Sequence, residues 1–324
     1  MRRLKTVVRY TMPALNRLLG PQKTARLVVA AKRWTSTQGP ATNPSVDYNL
    51  SKELSALAAC YAAKGVTQFP LSTRMVELQN KLIANAISGF FAKTASLRAV
   101  SAAEIAKTVA EFRSVFLGSP ITRNFYGANF PSGLNLFCLA RHLMPTTIVE
   151  SGVYKGQSSY LLASACPGAM VLAFDPSLAE VAYRAPGVVF HANDWMSTEI
   201  KCQPNSRDLC FFDDHQNQAL RIVQAHERGF RHILFDDSWP IEVAYGCSGP
   251  PLPSVDMIID DRLELNEAVE WIEGETKWTY VHDREVSDLC SRARALIRAA
   301  HEVPSLYRET GIAPTSAYKF VELN

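Results

Sequence analysis

The chain has 324 residues, 47% hydrophobic and 20% charged, which supplies a sizeable core and excludes wholesale disorder. No apolar run approaches the roughly 18 residues that cross a bilayer, so no integral membrane segment is expected. The net charge of +3 hides an asymmetry: residues 1–46 hold nine Lys/Arg and no acid, leaving 25 basic against 31 acidic side chains elsewhere. That balance argues against a global nucleic-acid-binding surface.

The basic segment reads as a solvated extension. An organellar transit peptide and an anionic-lipid contact by residues 1–33 are its rivals. Seven scattered cysteines without a C-x-x-C pair fit a reducing, cytoplasmic setting rather than a disulfide framework.

From Thr35 to Tyr48 the chain is rich in Thr, Ser, Pro, Gly and Asn, so residues 1–48 are expected to form an extension and linker. Residues 49–117 look helical. The clearest helix starts at Ser101, where S-A-A-E matches a capping box with Glu104. Ile105, Val109, Phe112 and Phe116 follow at helical spacing, and Gly118 and Pro120 end it. That stripe predicts core packing.

Beyond residue 118 five short apolar runs alternate with helix-like stretches: Thr147–Glu150, Met170–Asp175, Val188–His191, Leu209–Asp213 and His232–Asp236. The alternation predicts βαβ units and a parallel sheet over 118–324, an α/β Rossmann-like fold with helices on both faces. Four runs end in an acid and the fifth reaches one three residues on. Ligands of open α/β sheets bind outside the carboxyl ends of the strands, so these acids mark a candidate site.

The first strand runs into I-V-E-S-G-V-Y-K-G-Q-S-S from Ile148. Gly152 and Gly156 allow a tight turn, and Ser158 opens a helix whose N-terminus can face an anion. Tyr154 occupies the middle glycine position of G-x-G-x-x-G, which weakens a dinucleotide reading. Asp175 ends the second strand, where a carboxylate can accept hydrogen bonds from ribose hydroxyls.

The pattern E-x-G-x-x-x-G-x-S with that spaced acid resembles class I S-adenosylmethionine-dependent methyltransferases. The resemblance implies that the glycine turn holds the methionine moiety, Asp175 the ribose, and Asp194 the neighbourhood of the adenine. Glu150 either contacts the ligand or caps the turn. Asp194 has a turn-forming role as its alternative.

The second group of acids is denser. Strand four ends in Asp213, Asp214 and His215, and strand five in Asp236 and Asp237. Carboxylates that converge raise one another's pKa, and a hard divalent cation such as Mg²⁺ relieves the repulsion. Pairing with Arg207, Arg221 or Arg231 is the competing account.

The arrangement resembles metal-dependent small-molecule and sugar O-methyltransferases of the catechol and macrocin or mycinamicin types. It implies Asp236 and Asp237 as metal ligands, joined by Asp213 on the catechol pattern or Asp214 on the sugar-type pattern. Where the catechol enzymes carry a lysine base, this chain has His215, Gln216 and Asn217. His215 and Asp213 are therefore the catalytic candidates, and Asp214, Asp236 and Asp237 the metal set. Trp239 opens an irregular loop that could wall an acceptor pocket.

The expected activity is methyl transfer from S-adenosylmethionine to a hydroxyl of a small molecule or sugar. A cephalosporin-hydroxylase-like oxygenase and a non-catalytic nucleoside-binding domain are the rivals.

Overall fold

The computed structural model describes residues 73–324 apart from 98, 122–123, 125, 201, 203–206, 247–248 and 274–275. The basic extension, the linker and the start of the expected helical region lie outside the described residues.

Three helices precede the sheet: α1 (Thr73–Phe91), α2 (Ala102–Leu117) and α3 (Phe130–Leu143). The Ser101 capping box is formed. Ser101 Oγ accepts the Glu104 N–H, and the Glu104 carboxylate accepts the Ser101 N–H at 3.1 Å. Such a cap stabilises a helix start by about 1 kcal/mol. Ile105, Val109, Phe112 and Phe116 are all buried, as their spacing predicts.

The next elements alternate as expected: β1 (Thr147–Ser151), α4 (Gln157–Ala165), β2 (Met170–Phe174), β3 (Val188–His191), β4 (Leu209–Phe212), α5 (Gln218–Glu227) and β5 (His232–Phe235). A short helix α6 (Val255–Asp260) follows. Then come a hairpin of β6 (Glu267–Glu273) and β7 (Thr276–His282), helix α7 (Arg284–Leu296), β8 (Ile297–Glu302), one turn of helix α8 (Tyr307–Thr310) and β9 (Lys319–Leu323).

The main sheet has the order β3-β2-β1-β4-β5-β9-β8. Strands β1 to β5 are parallel, while β9 runs antiparallel to both β5 and β8. The expected Rossmann-like sheet is therefore present, with a crossover point between β1 and β4.

Its two faces carry separate cores. On one, α1 to α4 bury Ile83, Phe112, Phe137 and Leu161 against Ile148, Phe211 and Phe320. The helices at 73–117 thus share a core with the sheet. On the other face, α5, α6 and α7 bury Ile222, Ile258 and Ala293 against Val149, Cys210 and Ile233. Strands β4 and β5 are buried along their whole length, which explains their unbroken apolar runs.

Candidate active site

At the crossover point the turn after β1 presses on the end of β4. The Asp213 N–H donates to the Ser151 carbonyl at 2.8 Å. Gly152 has φ +96°, and a Cβ there would lie 2.0 Å from the Asp213 carbonyl oxygen. This glycine is required by protein backbone rather than by a ligand. Gly156, at φ +85°, caps α4, and its Cβ would lie 2.5 Å from the Tyr183 carbonyl. Between them Tyr154 takes a left-handed conformation at φ +49°, rare for a residue with a side chain.

The loop is tied down by Asp175. One carboxylate oxygen accepts the N–H groups of Val153 and Tyr154 at 3.0 and 3.3 Å, and the other accepts that of Ser177 at 2.9 Å. Asp175 therefore shapes the glycine turn and keeps acceptor capacity at the strand end.

Glu150 is fully buried. Ser159 donates to its Oε2 in a short hydrogen bond, and Ser158 adds a second hydroxyl contact. Its Oε1 has no partner among the described residues. Burial pushes this carboxyl up to about 7, against the two serine hydrogen bonds. A buried acceptor left open in this way is a place for a donor, preferably a cationic one.

Asp194 caps a short 3₁₀ turn (Trp195–Ser197) by accepting the Met196 N–H at 2.8 Å. Its Oδ2 meets Arg221 Nη2 at 2.6 Å. Burial alone raises its pKa, but Arg221 and the Met196 N–H outweigh that and hold it below the usual range. The turn-forming role, one of the two alternatives for Asp194, is present in the geometry.

The acids after β4 and β5 separate into two groups. Ligand atoms of Asp213, His215 and Asp237 lie within 4.8 Å of one another and could hold a metal ion. Asp214 lines the same hollow but is ion-paired: its Oδ2 meets Arg221 Nε and Nη2 at 2.9 and 2.7 Å. Asp214, expected in the metal set, is thus paired with a buried guanidinium from α5 and lies outside the three-residue group. Asp236 is also outside the three-residue group. It contacts Asp213, and its Oδ1 accepts the Asp237 N–H at 2.8 Å.

Burial pushes both Asp213 and Asp236 well above the usual carboxylate range, helped by the charge of Asp237 on both and of Asp213 on Asp236. Among the described residues neither is ion-paired with Lys or Arg, since Lys319 is drawn to Asp256 at 2.7 Å.

His215 sits at φ +54° with its imidazole partly exposed. Its Nδ1 lies 2.8 Å from the Gly249 carbonyl, which can only accept, so Nδ1 carries the hydrogen. In neutral His215 the Nε2 lone pair is then available, 3.7 Å from Asp237 Oδ2.

Several neighbours carried no local signal in the sequence. Ser316 Oγ accepts the Asp237 N–H at 2.8 Å, and Gln218 Nε2 donates to the Asp236 carbonyl at 2.9 Å. The Tyr318 hydroxyl is buried beside the acids and pushed well up by burial and their charge. The Trp278 ring packs at Gly249, beside His215.

Trp239, singled out as a pocket wall, donates from Nε1 to Asp237 Oδ1 at 3.4 Å. Its loop is less irregular than expected, because residues Ile241–Gly246 form a 3₁₀ turn after Pro240. A separate hollow, lined by Ile241, Met257, Tyr280 and Cys290, contains none of the strand-end acids.

No helix among the described residues is long and apolar enough to cross a membrane. No family model matches the chain, and no curated protein matches it. The solved structures it resembles include an O-methyltransferase from Bacillus cereus in complex with SAH (15% identity, 79% of this chain and 93% of that one, TM-score 0.39). Another is the O-methyltransferase TomG from Streptomyces achromogenes, involved in tomaymycin synthesis, in complex with SAM (15% identity, 75% and 98% covered, TM-score 0.38). A third is CmcI with Mg and SAM (15% identity, 61% and 74% covered, TM-score 0.35). Likenesses this distant assign no activity to this chain.

Proposed function

We propose that this chain is an S-adenosylmethionine-dependent O-methyltransferase, assisted by a divalent cation and acting on a hydroxyl of a small molecule or sugar. The observation that carries the reading is the contact of Gly152 with the Asp213 backbone. It sets a glycine turn with an open buried acceptor directly against the cluster in which Asp213 and Asp237 are the candidate cation ligands and His215 Nε2 the candidate base.

The residues fit both groups. Glu150 Oε1 suits the amino group of the methionine moiety, and the acceptor capacity of Asp175 suits ribose hydroxyls. Asp194, at the third strand end, stands for the adenine side. Asp213 and Asp237 offer hard oxygen ligands of the kind that hold Mg²⁺. When bound, the cofactor supplies an electrophilic methyl group, and the cation supplies positive charge that acidifies a nearby hydroxyl.

The chain's own residues do the rest. The Gly249 carbonyl fixes the His215 tautomer, and Nε2 takes the proton of the acceptor hydroxyl. Asp237, 3.7 Å away, stabilises the resulting imidazolium. Holding the acceptor oxygen at the boundary of the two halves supplies orientation, which can be worth several kcal/mol. The oxygenase reading fits less well, because a non-haem iron site uses two imidazoles and one carboxylate, whereas this cluster has one imidazole and two carboxylates.

The test is incubation with methyl-labelled S-adenosylmethionine and a small-molecule extract, followed by mass spectrometry. Label in a low-molecular-weight product, lost with chelator and restored by Mg²⁺, supports the reading. Cofactor binding without transfer to any fraction supports the non-catalytic alternative. Full transfer in excess chelator removes the cation from the account.

A further inference from the structure

Arg221 projects from α5 with only 4% of its side chain exposed, and it reaches two turns at once. On one side Nε and Nη2 hold Asp214 Oδ2, at 2.9 and 2.7 Å. On the other, Nη2 holds Asp194 Oδ2 at 2.6 Å. Nη1 donates to Gln224 Oε1 at 2.8 Å, and the guanidinium carbon lies 5.6 Å from the centre of the Phe212 ring.

The two turns follow β3 and β4, which are not neighbours; β2 and β1 lie between them. No direct strand pairing therefore joins one turn to the other. The guanidinium does so with charge-assisted hydrogen bonds, and Trp195 packs on Phe212 beside it, with ring centroids 5.4 Å apart.

Asp214 lies between Asp213 and His215 in the chain. Fixing its carboxylate fixes the turn that presents both neighbours to the metal cluster, including His215 in its uncommon left-handed conformation. Asp194, with 43% of its side chain exposed, is the solvent-accessible end of the tie.

We propose that Arg221 is a positioning residue that makes nucleoside binding and cation binding cooperative. The inference rests on the reading above, in which the nucleoside meets Asp194 and the cation meets Asp213 and Asp237. A ligand that orders Asp194 orders the guanidinium, and less then remains to be ordered at Asp214 when the cation binds. The coupling is reciprocal by thermodynamic linkage.

Lysine is the informative substitution. It keeps the charge that Asp214 needs but lacks the planar fork that grips two carboxylates together. The experiment is calorimetry with S-adenosylhomocysteine and Mn²⁺, each titrated with and without the other. In the wild type, saturating Mn²⁺ should tighten the nucleoside by about fivefold or more, and the nucleoside should tighten Mn²⁺ equally. In Arg221→Lys that factor should fall to about one, with each ligand alone bound within about threefold of wild type.

Asp194→Ala cuts the tie at one end while leaving the Arg221–Asp214 pair, and it should also lose the coupling. It keeps the test decisive if Arg221→Lys folds poorly. Weakened binding with the coupling intact in both variants would overturn the proposal. So would a wild type that binds both ligands independently, and that result would leave the functional reading standing. A wild type that binds neither ligand would overturn the functional reading, and this proposal with it.

Discussion

At the ends of β1, β2 and β3 the protein supplies hydrogen bonds for its own acids. Asp175 takes three backbone N–H groups, Asp194 takes Arg221 and the Met196 N–H, and Glu150 takes the Ser159 hydroxyl on Oε2 with Ser158 close by. At the ends of β4 and β5 Asp213 and Asp236 are pressed together, and burial and neighbouring negative charge raise both well above the usual carboxylate range. The first half is a finished mould that leaves one buried oxygen open. The second stores repulsion that a cation can release. The difference teaches that an acid at a strand end is not by itself a ligand; what already surrounds it decides.

The sharpest way to break the contrast is to alter one half alone. Asp237→Asn should lower turnover by about a hundredfold or more, since a cation ligand and the partner of His215 are lost together. Measured without added cation, S-adenosylhomocysteine affinity should stay within about threefold of wild type in calorimetry. A matching fall in nucleoside affinity would mean that the halves are not separate.

Gly152→Ala attacks the seam between them. The new Cβ would meet the Asp213 backbone at 2.0 Å, and alanine resists φ +96°. Denaturant unfolding should show a loss of about 2–4 kcal/mol. A neutral result would mean that the seam is loose, and the proposed adjacency of the two sites would go with it.

Glu150→Gln tests the open acceptor. The folded acid keeps its proton up to about 7, whereas the unfolded one releases it near 4.5. Between those values the folded chain binds more protons, so its stability falls as pH rises through the window. Glutamine escapes that loss. The ligand-free variant should therefore gain on wild type from pH 4.5 to 7, by up to about 3 kcal/mol. Nucleoside affinity should fall at the same time. A stability difference independent of pH would show that Glu150 does not hold its proton.

Asp175→Ala should cost nucleoside binding about 1.5–3 kcal/mol through lost hydrogen bonds to a charged acceptor. Part of that loss should come through the turn it ties, at Val153 and Tyr154. Loosening of the turn would show as faster amide exchange there, and unchanged exchange would assign the whole effect to the ligand.

Much of this was legible in the sequence, because it rests on local periodicity. The five parallel strands fall where the apolar runs lie, and the capping box at Ser101 and Glu104 is formed as written. The membership of the acid cluster was less legible. Within Asp213-Asp214-His215 the direction of each side chain depends on a tight turn, and Arg221 claims the middle residue. The supports were not legible at all. Ser316, Tyr318 and Trp278 reach the site from segments 60 or more residues beyond β4, through an antiparallel β9 and a hairpin that no local pattern ties to it.

The central claim is that this crevice is built for S-adenosylmethionine rather than a dinucleotide. One calorimetric comparison tests it most directly: titration of the purified protein with S-adenosylmethionine and, separately, with NADH. The geometry of Tyr154 and the open Glu150 oxygen predict one S-adenosylmethionine site per chain and NADH bound at least about tenfold more weakly. Tighter binding of NADH would contradict the account.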